Sequence, residues 1–144
     1  MKKVTKSEAQ TIKLGEQTGK KLEGGEVFLL VGDLGAGKTT FIKGVAKGLG
    51  IKRHITSPTF VLMKVYNVTK HKVIKTFVHI DTYRGLSIDD LDNIGAMEYF
   101  MDEKAVSFVE WGVSLEKHLI KYKIKFTKVL IRNIDQQVRE INIK

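Results

Sequence analysis

Apolar and polar positions alternate along the chain in groups of two lengths, and the groups predict an α/β protein. Ser7 is placed to cap a helix running to about Leu22, with Ala9, Ile12 and Leu14 among its apolar positions; Gly24-Gly25 breaks it. Glu26–Val31 (EVFLLV) is a short, nearly continuous apolar run, as a strand buried on both faces requires. Phe41, Ile42, Val45, Ala46 and Leu49 then share one stripe, which predicts a helix over Thr39–Leu49 stopped by Gly50. The second part of Ser57–Val68 is rich in β-formers, Lys70–Lys72 fits a hairpin tip, and Val73–Asp81 returns as a strand. Ser87–Met101 reads as helix in two pieces around Gly95, Ala105–Glu110 (AVSFVE) as a second buried strand, and Val113–Leu119 as a short helix. Tyr122–Arg132 and Gln137–Ile143 alternate as a closing hairpin turned by Asn133-Ile134-Asp135.

Size and charge narrow the class. At 144 residues, 42% hydrophobic and 28% charged, the expectation is one globular domain over residues 1–144. No apolar run reaches the ~20 residues of a membrane span. MKKVTKSEAQ is basic but carries no apolar stretch after its lysines, so it does not read as a secretory signal. With no cysteine, disulfides and thiolate metal sites are excluded, and a cytoplasmic protein is expected. The net charge of +9 suits an anionic partner, but the lysines are spread along the chain. No Arg-rich block and no aromatic-interleaved basic motif stands out, so direct nucleic-acid binding is the weaker expectation.

The chemistry is concentrated in Gly32–Thr40, GDLGAGKTT, which has the form Gly, four residues, Gly-Lys-Thr. Glycines allow backbone angles that bring amides close to phosphate oxygens. Those amides make an anion nest at a helix start, Lys38 can reach the β- and γ-phosphates, and the Thr39 hydroxyl is placed for Mg²⁺. The flanking strand and helix are the setting such a loop needs. The fold expected is therefore a P-loop NTPase-like three-layer sandwich with a mixed sheet, parallel core strands plus antiparallel hairpins.

Two strands end in acids, TFVHID at Asp81 and VSFVE at Glu110. Strand C-terminal ends converge on the ligand crevice of a parallel sheet, so both carboxylates are candidates for a metal shell with Thr39. Glu110 is expected as the magnesium partner and Asp81 as the group that polarises water or joins the shell, with the roles exchangeable; the plainer alternative for either is a cap or turn acid. Thr59, in Ser57-Pro58-Thr59, sits where nucleotide-sensing switches occur, against the alternative of an ordinary turn. Arg84 could stabilise a transferring phosphoryl group or pair with a surface acid. His79 alternates with Asp81 and reads as structural rather than metal-binding, and His54, His71 and His118 lack zinc spacing. No Asn-Lys-x-Asp string is present, which favours ATP over GTP.

GDLGAGKTTF, SPTFVLMKVY, HIDTYR, the acidic segment to MEYF, and VEW follow one another in an order and spacing that resembles the TsaE (YjeE) family, over nearly the whole chain. The resemblance implies a small ATPase of tRNA threonylcarbamoyladenosine synthesis that hydrolyses ATP slowly with Mg²⁺. It implies work with TsaD and TsaB, which transfer threonylcarbamoyl to N6 of adenosine 37, so tRNA is met indirectly through the complex. It places the nucleotide on Asp33, Gly35, Ala36, Gly37, Lys38, Thr39 and Thr40, Mg²⁺ on Thr39 and Glu110 with Asp81 nearby, and Glu8 toward the adenine side. Lys38, Asp81, Glu110, Thr59 and Arg84 would carry catalysis, and Trp111 matches the family's Glu-Trp pair. Thr82 and Gly85 depart from the usual DLYRL, and Gly112 follows Trp111; these touch the partner surface more than the phosphate chemistry. A small-molecule kinase and a non-hydrolysing nucleotide-sensing adaptor remain as alternatives. The lack of an Arg-rich lid weighs against the first and the paired acids against the second.

Overall fold

The structure is a computed structural model that describes residues 1–33, 35–56, 63–82, 88–110 and 115–144. In chain order its elements are β1 (Lys2–Thr5), α1 (Glu8–Lys20), β2 (Val27–Val31), α2 (Lys38–Gly48), β3 (Met63–Asn67) and β4 (Thr76–Asp81). They continue as α3 (Ile88–Asn93), α4 (Ala96–Phe100), β5 (Ala105–Glu110), α5 (Glu116–Lys121), β6 (Thr127–Asn133) and β7 (Arg139–Ile143). Among the described residues, seven strands form one sheet in the order β1-β7-β6-β2-β5-β4-β3. The central pairs β6-β2, β2-β5 and β5-β4 are parallel. The outer pairs β1-β7, β7-β6 and β4-β3 are antiparallel.

Alternation along the parallel strands builds two cores. Phe28 and Leu30 of β2, Phe77 of β4 and Phe108 of β5 face α1 and α2, where Phe41, Ile42 and Val45 close the layer. Val27, Leu29, Val78, Ile80 and Val109 face the other way, against Leu91, Phe100 and Leu119 of α3, α4 and α5. Helices on both faces of a mixed sheet make the expected P-loop NTPase-like three-layer sandwich. All six residues of β5 are buried, which is why its sequence is nearly unbroken apolar. Among the described residues no helix is long and apolar enough to cross a membrane.

Several boundaries differ from the sequence expectation for identifiable reasons. The N-terminal strand β1 was not anticipated: its four residues are mostly exposed, and it is held at the sheet edge by pairing with β7. The return strand of the hairpin starts at Thr76 rather than Val73, because the His71 ring takes the amides of Val73 and Ile74 at 3.1 and 3.0 Å. The strand expected from Tyr122 begins at Thr127, since Tyr122 caps α5 and Lys123 follows with a left-handed φ of 58°. Gly95, at φ 81°, does divide α3 from α4.

Glycines set the spacing that positions the loop helix, Gly15 and Gly44 among them. A Cβ at Gly15 of α1 would lie 2.2 Å from the Phe41 carbonyl oxygen, and one at Gly44 of α2 would lie 2.1 Å from that of Ile12. The neighbour in both cases is backbone, which cannot yield as a flexible side chain can. Ser7 fixes the start of α1 by accepting from the Gln10 amide at 3.1 Å. Gly44→Ala is expected to destabilise the protein by about 2–3 kcal/mol, the upper range of overpacking costs, read as a lower urea midpoint. An unchanged midpoint would show that the two helices are not held at contact distance.

Candidate functional site

β2 ends at Val31 and the chain turns through Gly32 and Asp33 toward α2. The Ala36 amide donates to the Asp33 carbonyl at 2.9 Å, and Gly37 stands at the N-cap of α2 with φ 103°. That left-handed angle is what a residue with a Cβ resists, so Gly37 is fixed by backbone geometry. Gly37 has no side chain with which to cap the helix, and the first amides of α2 face the cleft, where the dipole favours an anion. Ala36 is buried beneath the loop, while Gly35, at φ 77°, is exposed at its rim. Among sequence-selected residues, Asp33, Gly35, Ala36, Gly37, Lys38, Thr39 and Thr40 therefore all lie on this one turn and the start of α2.

Lys38 is only 5% exposed and folds back over the loop. Its Nζ donates to the carbonyls of Gly32 at 2.5 Å and Asp33 at 2.9 Å. Burial lowers its pKa below the ordinary 10.5, and the negative charges of Glu110, Asp81 and Asp33 pull it back up. The ammonium is thus held against the loop by backbone carbonyls inside a field of carboxylates.

The parallel register brings the two strand-final acids together. Asp81 of β4 and Glu110 of β5 are direct partners across the ladder, and Glu110 also stands opposite Leu30 of β2. Glu110 faces the α2 side of the sheet, and its Oε1 accepts from the Thr39 hydroxyl at 3.0 Å. Its Oε2 lies 2.7 Å from His79 Nε2. Both partners are buried, at 0% exposure for His79 and 3% for Glu110. Thr82 closes the strand end by donating its hydroxyl to the Glu110 carbonyl at 2.9 Å. The residue that departs from the resembled motif is thus buried and used as a backbone clamp.

Glu8, at the start of α1, lines a cavity of about 290 Å³ that opens beside Gly35, Gly37 and Thr40. Its other wall is the β6–β7 turn, with Gln136, Gln137 and Arg139. The Arg139 guanidinium holds that turn through Nη1, which donates to the carbonyls of Asp135 at 3.1 Å, Gln136 at 3.3 Å and Val138 at 3.3 Å. These wall residues were not anticipated, because the sequence shows them only as part of a hairpin; the one signal is the polar Gln-Gln pair beside the turn. Nor was the contact of His79 with Glu110. Thr59, Arg84 and Trp111 lie outside the described residues, as does the Ser57-Pro58-Thr59 segment. Among the described residues no group of three or more His, Asp or Glu side chains could hold a metal ion without other donors. A cation at Thr39 and Glu110 would complete its shell with water and ligand oxygens, the usual habit of Mg²⁺.

The family model described as "Threonylcarbamoyl adenosine biosynthesis protein TsaE" matches residues 5–141. The tRNA threonylcarbamoyladenosine biosynthesis protein TsaE of Treponema pallidum is 38% identical over 143 residues, covering 99% of each chain. The protein of the same name from Bacillus subtilis is 40% identical over 117 residues, covering 81% of this chain and 68% of its own. Among solved structures, the crystal structure of Bacillus subtilis YdiB matches with a TM-score of 0.72 at 34% identity, covering 99% of this chain and 83% of that one.

The buried ammonium has a consequence for stability. Because the folded pKa of Lys38 lies below that of the unfolded chain, unfolded molecules bind more protons between the two values. Stability contributed at this position therefore rises with pH through that window. Lys38→Met removes the titration, so wild type is expected to gain on this variant in urea midpoint as pH rises toward the ordinary lysine value of 10.5. Parallel pH curves would contradict the buried, charge-strained lysine.

Proposed function

The chain belongs to the TsaE family, and from that premise we propose that it is the ATP-hydrolysing member of the machinery that makes N6-threonylcarbamoyladenosine at tRNA position 37. The role in threonylcarbamoyladenosine biosynthesis follows from the family, as does a nucleotide-binding P-loop. ATP as the nucleotide, hydrolysis, the need for Mg²⁺ and the coupling to TsaD-like and TsaB-like partners make up our reading. Residues 1–144 are taken to act as one ATPase domain in the cytoplasm, meeting tRNA through the partner complex.

The observation that carries this reading is the 3.0 Å contact between Thr39, at the start of the loop helix, and Glu110, at the end of the neighbouring strand. A hydroxyl and a carboxylate delivered to one point beside a phosphate cradle form an all-oxygen donor pair suited to a hard divalent cation. When bound, Mg²⁺ would neutralise charge on the phosphate oxygens. The chain's own groups do the rest. Loop amides at the open helix start bind the phosphates, and Lys38 exchanges its carbonyl bonds for a phosphate oxygen. Asp81, beside Glu110, orients the attacking water. The cleft between Glu8 and Arg139 receives the nucleoside end. Thr59 and Arg84 belong to the segments expected to respond to the terminal phosphate. Nucleotide state is then expressed as a difference in affinity for the partners, which is how a slow hydrolase can reset them.

Hydrolysis measured with and without a TsaB–TsaD pair tests the reading. Wild type is expected to be slow alone and faster with the pair, with no phosphorylated small product formed from cell metabolites. Lys38→Ala and Glu110→Ala are each expected to lose roughly 10²–10³-fold in rate while remaining folded by circular dichroism. Cells carrying only either variant are expected to lose the tRNA modification. Undiminished hydrolysis by both variants would refute the assignment.

A further inference from the structure

Among the described residues Glu110 makes two side-chain contacts of different character. Its Oε1 faces Thr39, a candidate cation ligand whose hydroxyl would be redirected on loading. Its Oε2 faces His79, which lies on β4 two residues before Asp81 and opposite Phe108 in the parallel register. This second contact is the shorter, at 2.7 Å, and is wholly buried. Burying an imidazole and a carboxylate is expensive, and an apolar pair of similar volume would fill the same layer without that cost. Core packing alone thus gives no reason for a histidine here, whereas orientation of a carboxylate does.

The bonding pattern fixes how the ring is used. A carboxylate oxygen only accepts, so the ring hydrogen is assigned to Nε2 and directed at Oε2. Nδ1 has no hydrogen-bond partner among the described residues, which suits a bare ring nitrogen better than a buried N–H. A glutamate has three side-chain torsions, and one anchored oxygen with one ladder-held backbone leaves the other oxygen a single direction.

We propose that His79 is a positioning residue for the divalent-cation shell: its Nε2–H holds Glu110 Oε2 so that Oε1 is kept toward Thr39 and the phosphate end of the cleft. The proposal rests on the reading of Glu110 as a cation ligand given above. It makes the strand β4 motif a source of two functions on one face, Asp81 at the mouth and His79 one layer below it.

The test is the Mg²⁺ dependence of ATP binding, measured as the Mg²⁺ concentration giving half of the full gain in ATP affinity. His79→Leu keeps bulk and removes the donor, while His79→Gln places an amide nitrogen where Nε2 stood. Loss of such an outer partner typically costs about 10–100-fold in metal affinity. His79→Leu is expected to raise the Mg²⁺ midpoint by roughly that factor, with ATP affinity in EDTA unchanged, and His79→Gln to restore most of it. A wild-type midpoint in folded His79→Leu would overturn the proposal. Should the leucine variant not fold, His79→Gln is compared with His79→Asn, whose shorter amide falls short of Glu110; equal midpoints would overturn it equally. Glu110→Gln is measured alongside. If it leaves the midpoint unmoved, the cation-ligand reading itself fails; if it moves the midpoint and His79→Leu does not, only the histidine proposal fails.

Discussion

The bond from Thr39 to Glu110 joins the first turn of a helix to the last residue of a buried strand, and the candidate site depends on that junction. It exists because β2 and β5 are parallel neighbours with Leu30 opposite Glu110, so the loop that leaves β2 passes directly over the end of β5. Four parallel strands with both faces covered hold that register, since a one-residue slip would turn Phe28, Phe108 and Phe77 out of one core and into the other. The stacked rings of Phe28 and Phe108, 4.5 Å apart, bind the same two strands one layer beneath the carboxylate. Stability and chemistry are thus served by one alignment.

Around this junction the protein spends apolar surface on rigidity and polar groups on direction. The close approach of α1 to α2 through Gly15 and Gly44 fixes the axis of the loop helix, and so the place of its open amide end. Glu8 and Thr11 of α1 are carried to the cleft by the same packing. Lys38, His79 and Glu110 are buried groups that cost stability, and each is held by specific partners: loop carbonyls, the Glu110 carboxylate, and the pair of Thr39 and His79. Such strained polar groups cluster at functional sites, where direction matters more than depth of burial.

Much of this was legible in the residues. Runs such as EVFLLV and AVSFVE announce central strands because both faces are buried, and the GDLGAGKTT spacing announces the turn between strand and helix. Acids at the ends of two apolar strands pointed to Asp81 and Glu110, and the structure brings them side by side. What escaped depends on register or tertiary contact. β1 is an edge strand without an apolar signature, held by partners 134 or more residues away. The His79–Glu110 pair spans 31 residues and appears only once β4 is aligned with β5. The wall formed by Arg139 and its turn depends on where the last hairpin folds back, beside Gly37.

A triphosphate and its cation, gripped between the loop amides, Lys38, Thr39 and Glu110, are the centre of the proposed function. Titration calorimetry of ATP into the wild-type chain, with Mg²⁺ and then with EDTA, measures this directly. Saturable binding at one site per chain that weakens when Mg²⁺ is withheld is the expected result. Absence of any binding heat from folded protein, both alone and with the TsaB–TsaD pair, would contradict it.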